Sequence, residues 1–294
     1  MIMKKIQQQW DENPLILILG LAIVFRLLAV LFSKGYGMLD DHFLVIEAAQ
    51  SWIDGYDYNN WLPKSGATDP QGHNFFFVGI HYILLYIMEI IGLTDPQGKM
   101  YVIRLIHAAF SLLTVYFGFR ITEKLSDRNT ARQAGLLLAL LWLMPFLSVR
   151  NMVEVVSMPF LLWGLWILVK GENRSFDGAS TEQSRSAQDR EERTEKREFH
   201  TWSYVWAGLL LGIAFSVRYQ TLIFTGGIGL VLLYNRKIIG SMILAVAFAI
   251  AVFLTQAIVD MAIWGYPFAE FLAYIDHNIT YRTNYIVAPW YNYI

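Results

Sequence analysis

The chain has 294 residues, of which 55% are hydrophobic and only 16% are charged, and its mean hydropathy is +0.39. Soluble domains carry about 25% charged residues, so the composition excludes an ordinary soluble domain and predicts a polytopic helical membrane protein surrounded by membrane lipids. A net charge of −1 gives no reason to expect a nucleic-acid partner. The absence of cysteine excludes disulfides and thiolate metal sites.

Seven apolar stretches predict membrane-spanning helices. Arg26 lies inside the first, where it either snorkels or pairs within the helix bundle, or else contacts a lipid phosphate. The apolar run 202–234 would form a helix of about 50 Å, too long for a membrane core of about 30 Å, and we expect it to break at Arg218. The predicted spans are residues 14–33, 101–120, 132–148, 152–170, 202–217, 219–234 and 238–263.

Residues 74–92 are long enough to cross a membrane, but a crossing there would put the basic loops outside. The positive-inside rule therefore favours a re-entrant or juxtamembrane helical hairpin on the external face. The polar segment 171–200 predicts a disordered cytoplasmic loop. We expect one transmembrane domain over 1–294, with an external catalytic loop carrying juxtamembrane helices at 34–100 and a second external loop at 264–294.

Polar residues gather at the segment ends that this topology places on the external face. Two adjacent carboxylates can raise one another's pKa, which suits a general base near neutral pH, and arginine matches the geometry of a phosphate. The alternative is a set of unrelated loop charges. The external group comprises Asp40, Asp41, Glu47, Arg150, Asn151, Glu154, Arg218, Asp276, His277, Asn278 and Arg282.

At these positions the sequence resembles the polytopic GT-C glycosyltransferases that use lipid-phosphate sugars. It is most similar to the mannosyltransferases of asparagine-linked glycan and GPI-anchor assembly, glycosyltransferase family twenty-two. That family has an Asp-Glu pair after its first span, then an aromatic residue, and then Leu-Glu with a small residue. The matching residues are Asp40-Asp41-His42-Phe43, Ile46-Glu47-Ala48, Gly55-Tyr56, Trp61, Arg150-Asn151, Glu154, Gly208, Gly212, Arg218, Phe271-Leu272, Asn278, Pro289-Trp290-Tyr291 and Tyr293.

The resemblance implies an all-α, GT-C-like bundle of about seven transmembrane helices with external juxtamembrane helices. Relatives continue through several more spans, so a C-terminally truncated chain is expected. The implied reaction moves a sugar, expected to be mannose, from polyprenyl phosphate to a glycan or lipid-linked acceptor on the external face. No cofactor and no metal are expected, because no ligand spacing enforces a metal site at His42 and His277.

The resemblance also implies roles for the site residues. Asp40 aligns with the family's leading Asp and is the expected base, with Asp41 orienting Asp40 or the acceptor. Arg150 and Arg218 would neutralise the leaving phosphate. The remaining expected substrate-binding residues are Glu47, Glu154, Asn278 and Trp290.

Two other classes of function remain open from the sequence. One is a transporter or flippase of lipid-linked sugars, in which the external charges would form the substrate path. The other is a noncatalytic membrane subunit or an inactive fragment. The expected location is a bacterial inner membrane with the site facing the periplasm, or the endoplasmic reticulum membrane if the protein is eukaryotic.

Overall fold

The computed structural model describes residues 2–37, 39–58, 60, 62–63, 69–171 and 187–281, and every regular element within these ranges is helical. The all-helical prediction is therefore confirmed. The helices, in chain order, are α1 (Ile2–Glu12), α2 (Pro14–Phe32), α3 (Leu39–Asp41), a π-helical segment (His42–Glu47), α4 (Ala48–Ile53), α5 (Phe75–Ile90), α6 (Pro96–Leu125), α7 (Arg128–Leu140), α8 (Leu143–Ser148), α9 (Val153–Gly171), α10 (Ala187–Val217), α11 (Thr221–Tyr234), α12 (Ile238–Val252), a π-helical segment (Phe253–Ala257), α13 (Ile258–Trp264) and α14 (Ala269–Thr280).

The chain forms two compact units. The first comprises Met1–His42 and Leu93–Val252, and the second comprises Phe43–Gly92 and Phe253–Ile294. Within the described ranges, four helices are long and apolar enough to cross a membrane, and three shorter apolar helices accompany them. The four are Pro14–Phe32, Pro96–Leu125, Val153–Lys170 and Ile238–Trp264, and the shorter three are Phe75–Ile90, Thr201–Val217 and Thr221–Tyr234.

The predicted span 132–148 is not one continuous helix. The helical conformation stops at Leu141, whose ψ of 118° is extended, and α8 begins two residues later. Pro145 explains the interruption, because a proline ring clashes with the carbonyl of the residue four positions earlier, which here is Leu141. By contrast, the predicted break near Arg218 is confirmed, since α10 ends at Val217 and α11 begins at Thr221.

Two other segments differ from their predictions. The expected hairpin at 74–92 is wrong, because α5 runs unbroken from Phe75 to Ile90. The Asn74 side chain caps this helix by accepting from the Phe76 N–H at 2.8 Å. Within the expected disordered loop 171–200, residues 187–200 form the beginning of α10. Their Glu, Arg, Lys and Gln residues are good helix formers, which explains why α10 begins before the apolar stretch Thr201–Val217.

Arg26 forms hydrogen bonds inside the helix bundle of the first unit, in agreement with the predicted pairing within the bundle. The side chain is 1% exposed. Its Nε donates to Ser111 Oγ at 2.7 Å and its Nη2 donates to the Leu138 carbonyl at 3.3 Å. Because these partners belong to α6 and α7, the arginine links three helices that also share an apolar core.

Close packing of α10 against α12 depends on two glycines in the first unit. A Cβ added to Gly208 would lie 2.4 Å from the Leu244 carbonyl oxygen, and one added to Gly212 would lie 2.6 Å from Ala251 Cβ. Because Gly208 and Gly212 are four residues apart, both lie on one face of α10. Their small size lets the backbones of α10 and α12 approach each other. The glycines of the sequence motif that precedes Arg218 thus position the end of α10 where that arginine lies.

The second unit is organised around the buried side chain of Glu270. Its Oε2 accepts from the N–H groups of Gly72 and His73 at 2.6 and 2.9 Å, and its Oε1 accepts from Trp264 Nε1 at 2.7 Å. Gly72 has a φ of +82°, and an added Cβ would lie 3.1 Å from Tyr274 Cα. One carboxylate therefore connects the turn before α5, the end of α13 and the start of α14.

Replacement of Gly208 by alanine should destabilise the first unit by about 1–3 kcal/mol, because the new methyl group meets backbone rather than a movable side chain. Gly226→Ala is the matched control, since a Cβ there meets nothing within 4 Å. Thermal unfolding in one detergent compares the two. Equal unfolding midpoints for both variants would contradict the close packing of α10 and α12.

Replacement of Glu270 by alanine should destabilise the second unit by several kcal/mol, because each buried donor left without an acceptor costs about 1–3 kcal/mol. Glu270→Gln keeps one side-chain oxygen and should lose less. Thermal unfolding reports the stability, and hydrogen exchange at Gly72 and His73 reports the local contact. Wild-type exchange at both amides in Glu270→Ala would show that the carboxylate does not hold this turn.

Candidate active site

Three segments of the first unit meet through direct contacts. Asp41 is the last residue of the short helix α3, the turn between α8 and α9 carries Asn151, and the turn after α10 carries Arg218. Asn151 Nδ2 donates to the Asp41 carbonyl at 2.7 Å. Arg218 Nη2 lies 2.8 Å from Glu154 Oε1 in the first turn of α9. The predicted external residues of the first unit are therefore neighbours in space.

The Asp41 carboxylate lies at the N-terminus of α9. Its Oδ2 accepts from the Val153 N–H at 3.0 Å, one of the N–H groups that a helix leaves without an intrahelical partner. The positive end of the helix dipole favours a carboxylate at this position. The contact fixes the carboxylate on the turn 149–153, while the side chain remains only half-buried.

Burial raises the pKa of Asp41 to about 6. The Val153 N–H and the Arg218 charge oppose this shift, whereas the negative charges of Glu154 and Asp40 add to it. Desolvation disfavours the charged form of an acid, and the nearby carboxylates act in the same direction. A carboxylate that titrates near pH 6 is ionised at neutral pH and still basic enough to accept a proton.

Asp40 has a different environment. The residue is exposed, and its effect on the site is the negative charge that it places near Asp41. The two adjacent carboxylates are therefore distinguished by burial and by the contact with α9, and both features belong to Asp41.

The cation of Arg218 is already paired. Both members of the Arg218–Glu154 pair are partly exposed, at 35% and 38% of their side-chain surface, so the pair adds little stability. Glu154 Oε2 is buried and has no hydrogen-bond donor within the described ranges. The pair instead places one charge of each sign near Asp41, where the two act on its pKa in opposite directions.

Arg150 lies near Arg104, a residue that the sequence analysis did not identify. The guanidinium of Arg150 lies 3.7 Å from the centre of the Phe146 ring, and its Nη1 donates to the Phe146 carbonyl at 2.6 Å. Arg104, in α6, lies near enough that its charge, after burial, contributes to a lowered pKa of Arg150. A charged residue inside a predicted span is costly and indicates function, and this signal was present in the sequence.

The second unit contains two other predicted site residues. Glu47 is exposed at the end of its π-helical segment. Asn278 donates through Nδ2 to the Tyr274 carbonyl at 2.7 Å, a bond within α14. Trp290 and Arg282 lie outside the described residues.

The two histidines considered as metal ligands lie against aromatic rings. His42, in the first unit, stacks on Tyr36 with 5.3 Å between ring centres. His277, in the second, lies 4.8 Å from the Tyr281 ring. Each thus has a packing role within its own unit.

Comparison with known families decides what kind of protein carries this site. The sequence profile of the Alg9-like mannosyltransferase family matches residues 17–294. The chain belongs to the Alg9-like mannosyltransferase family. A search of curated proteins found no match. The match spans both units and confirms the resemblance seen in the motifs, so the protein is a membrane glycosyltransferase of a mannosyltransferase family rather than a transporter.

The electrostatics of Asp41 predict opposite shifts in the pH dependence of sugar transfer. With Asp41 ionised in the active form, the rate should rise with pH through about 6. Glu154→Gln removes a charge that raises the pKa of Asp41. This change should move the rising limb of the pH–rate profile to lower pH. Arg218→Gln removes a charge that lowers it and should move the limb to higher pH.

Initial transfer rates between about pH 4.5 and 8 test this pair of shifts. The exposed ion pair of Arg120 and Glu123 supplies a control, since Glu123→Gln removes the same kind of charge elsewhere. Coincident limbs for Glu154→Gln and Arg218→Gln would contradict the electrostatic account.

Proposed function

We propose that the chain transfers mannose from a polyprenyl phosphate to a hydroxyl group of a glycan or lipid-linked acceptor, with Asp41 as the general base. The observation that carries this proposal is the placement of Asp41, half-buried at the N-terminus of α9 with a pKa raised to about 6. Family membership supplies the class of reaction.

The reaction replaces one bond at the anomeric carbon by another. The acceptor oxygen forms a bond to this carbon while the bond from the carbon to the phosphate oxygen breaks. The electron pair of the broken bond leaves with the polyprenyl phosphate. The acceptor proton passes to the Asp41 carboxylate, and proton transfer to a positioned base contributes about 10²–10⁴-fold to a rate.

The resemblance to the family favours Asp40 as the base, but the contrast between the two aspartates supports Asp41 in that role. A base must be held within hydrogen-bond reach of the proton that it accepts. Asp41 is held by Val153 through its side chain and by Asn151 through its carbonyl. Asp40 is exposed and serves here as a nearby charge that raises the basicity of Asp41.

The other predicted residues have supporting roles in this proposal. Arg218 is paired with Glu154 and lowers the pKa of Asp41, and we propose that it also contacts the donor at the edge of the site. Glu47, Asn278 and Trp290 remain proposed substrate-binding residues on the strength of the motifs alone.

The site is proposed to face away from the cytosol. Arg132 in α7 donates to the Trp10 carbonyl at 2.8 Å, and Arg128 donates to the carbonyl of Glu12. The N-terminal ends of α2 and α7 are thus joined by basic residues, as expected of a cytosolic face. Two of the shorter apolar helices, Thr201–Val217 and Thr221–Tyr234, and the α7–α8 segment complete the proposed set of about seven spans in one GT-C domain. The proposed site then faces the periplasm or the lumen of the endoplasmic reticulum.

Replacement of Asp41 by asparagine should lower kcat at least about 100-fold, because the base is lost while the side-chain oxygen can still accept from Val153. The KM for the donor should change little. Asp40→Asn is the matched control and should keep most of the activity. The assay uses the membrane-reconstituted chain with polyprenyl-phosphate mannose as donor.

Two results would overturn the proposal. If Asp40→Asn loses transfer while Asp41→Asn retains it, the base is Asp40. If the wild-type chain uses a nucleotide-activated mannose and ignores polyprenyl-phosphate mannose, the donor class is wrong.

A further inference from the structure

Two arginines of the first unit lie buried beside each other. Arg104 is 4% exposed and Arg150 is 9% exposed. The turn Ser33–Gly37 contacts both side chains, and the charge of Arg104 contributes to the lowered pKa of Arg150. Within the described ranges neither guanidinium is paired with a carboxylate, in contrast to Arg218. Two buried cations without a counter-ion are costly, so such an arrangement requires compensation.

The compensation visible in the structure is incomplete. Arg104 donates from Nη1 to the Ser33 carbonyl at 2.9 Å and from Nη2 to the Gly35 carbonyl at 3.0 Å. Arg150 donates to Phe146, but its Nε is buried and has no acceptor within the described ranges. Carbonyl oxygens satisfy part of the hydrogen-bonding capacity of the pair and neutralise none of its charge.

The arginine pair adjoins the Asp41 site through the chain itself. The turn Ser33–Gly37 lies over both arginines, and an added Cβ at Gly37 would lie 2.8 Å from Arg150 Cδ. This turn runs directly into Asp40 and Asp41, and Arg150 directly precedes Asn151, which holds Asp41. The same two turns therefore position a carboxylate and a pair of cations.

We propose that Arg104 and Arg150 together bind the phosphate of the polyprenyl lipid. Arg104 is thereby a substrate-binding residue that no sequence motif indicated. The inference rests on the proposed function, since the anion is the phosphate of that donor. Guanidinium groups bind phosphate through short, charge-assisted hydrogen bonds, and within the described ranges the Arg150 Nε–H has no acceptor.

The pair should favour the leaving group over the intact donor. A phosphodiester such as the donor carries one negative charge, whereas the released monoester carries about −1.5 to −2 at neutral pH. Two cations interact more strongly with the charge that develops as the anomeric bond breaks. Interactions that strengthen toward the transition state accelerate the reaction, so the pair would contribute to kcat as well as to binding.

Binding of a polyprenyl monophosphate to the reconstituted full chain tests this site, with the uncharged polyprenol as the control for the lipid tail. We expect Arg104→Gln and Arg150→Gln each to weaken monophosphate binding at least about 10-fold and to leave polyprenol binding unchanged. Arg120→Gln is the matched control, because Arg120 lies on the same helix but pairs with Glu123 at the surface. It should bind as the wild type does.

A measurement on the wild-type chain covers the case in which a variant fails to fold. The monophosphate should raise the thermal unfolding midpoint more than the polyprenol does, and high salt should reduce the difference. Equal midpoint shifts for the two lipids would overturn the site. Wild-type monophosphate affinity in both folded glutamine variants would overturn it as well.

The Asp41→Asn variant separates this inference from the proposed function. It should bind the monophosphate with wild-type affinity while transfer is lost. If Asp41→Asn is inactive and the arginine variants bind normally, the proposed base stands and the phosphate site is wrong. If Asp41→Asn is fully active and the arginine variants lose binding, the phosphate site stands and the base is wrong.

Discussion

The contact between Asp41 and the turn before α9 is the constraint on which the site depends. It uses two hydrogen bonds of different kinds, one from the Asn151 side chain to the Asp41 backbone and one from the Val153 backbone to the Asp41 carboxylate. Together they fix both the path of the chain after the first span and the direction of the acid. A residue held through both its backbone and its side chain retains less freedom than one on an exposed loop, and a general base must be positioned in this way.

The same turn separates charges into two groups with different chemistry. On the α10 side, Glu154 and Arg218 form a partly exposed pair whose opposite charges act on the pKa of Asp41 in opposite directions. On the α6 side, Arg104 and Arg150 form a buried pair of like charges. A base needs balanced surroundings so that it can both accept and release a proton, whereas a leaving phosphate needs uncompensated positive charge. Each group includes a residue close in sequence to Asn151: Glu154 belongs to the paired charges, and Arg150 belongs to the buried cations.

The sequence predicted the features that depend on local chemistry and missed those that depend on tertiary contacts. The break at Arg218 followed from the length of an apolar run against the thickness of a membrane, and the motifs identified Asp41, Glu154 and Arg218 as candidates. The difference between Asp40 and Asp41 could not be predicted, because it arises from burial against a helix distant in sequence. Arg104 was overlooked within an apolar run, and the role of Glu270 requires the fold to bring residues 72–73 beside it.

Isotope-edited infrared spectroscopy of the Asp41 carboxyl, performed across the pH range of the transfer assay, tests the central claim most directly. The band of the protonated acid should be lost with a midpoint near pH 6, it should be absent in Asp41→Asn, and its loss should coincide with the rise in transfer rate. Full transfer activity at a pH where the spectrum shows Asp41 protonated would contradict the account.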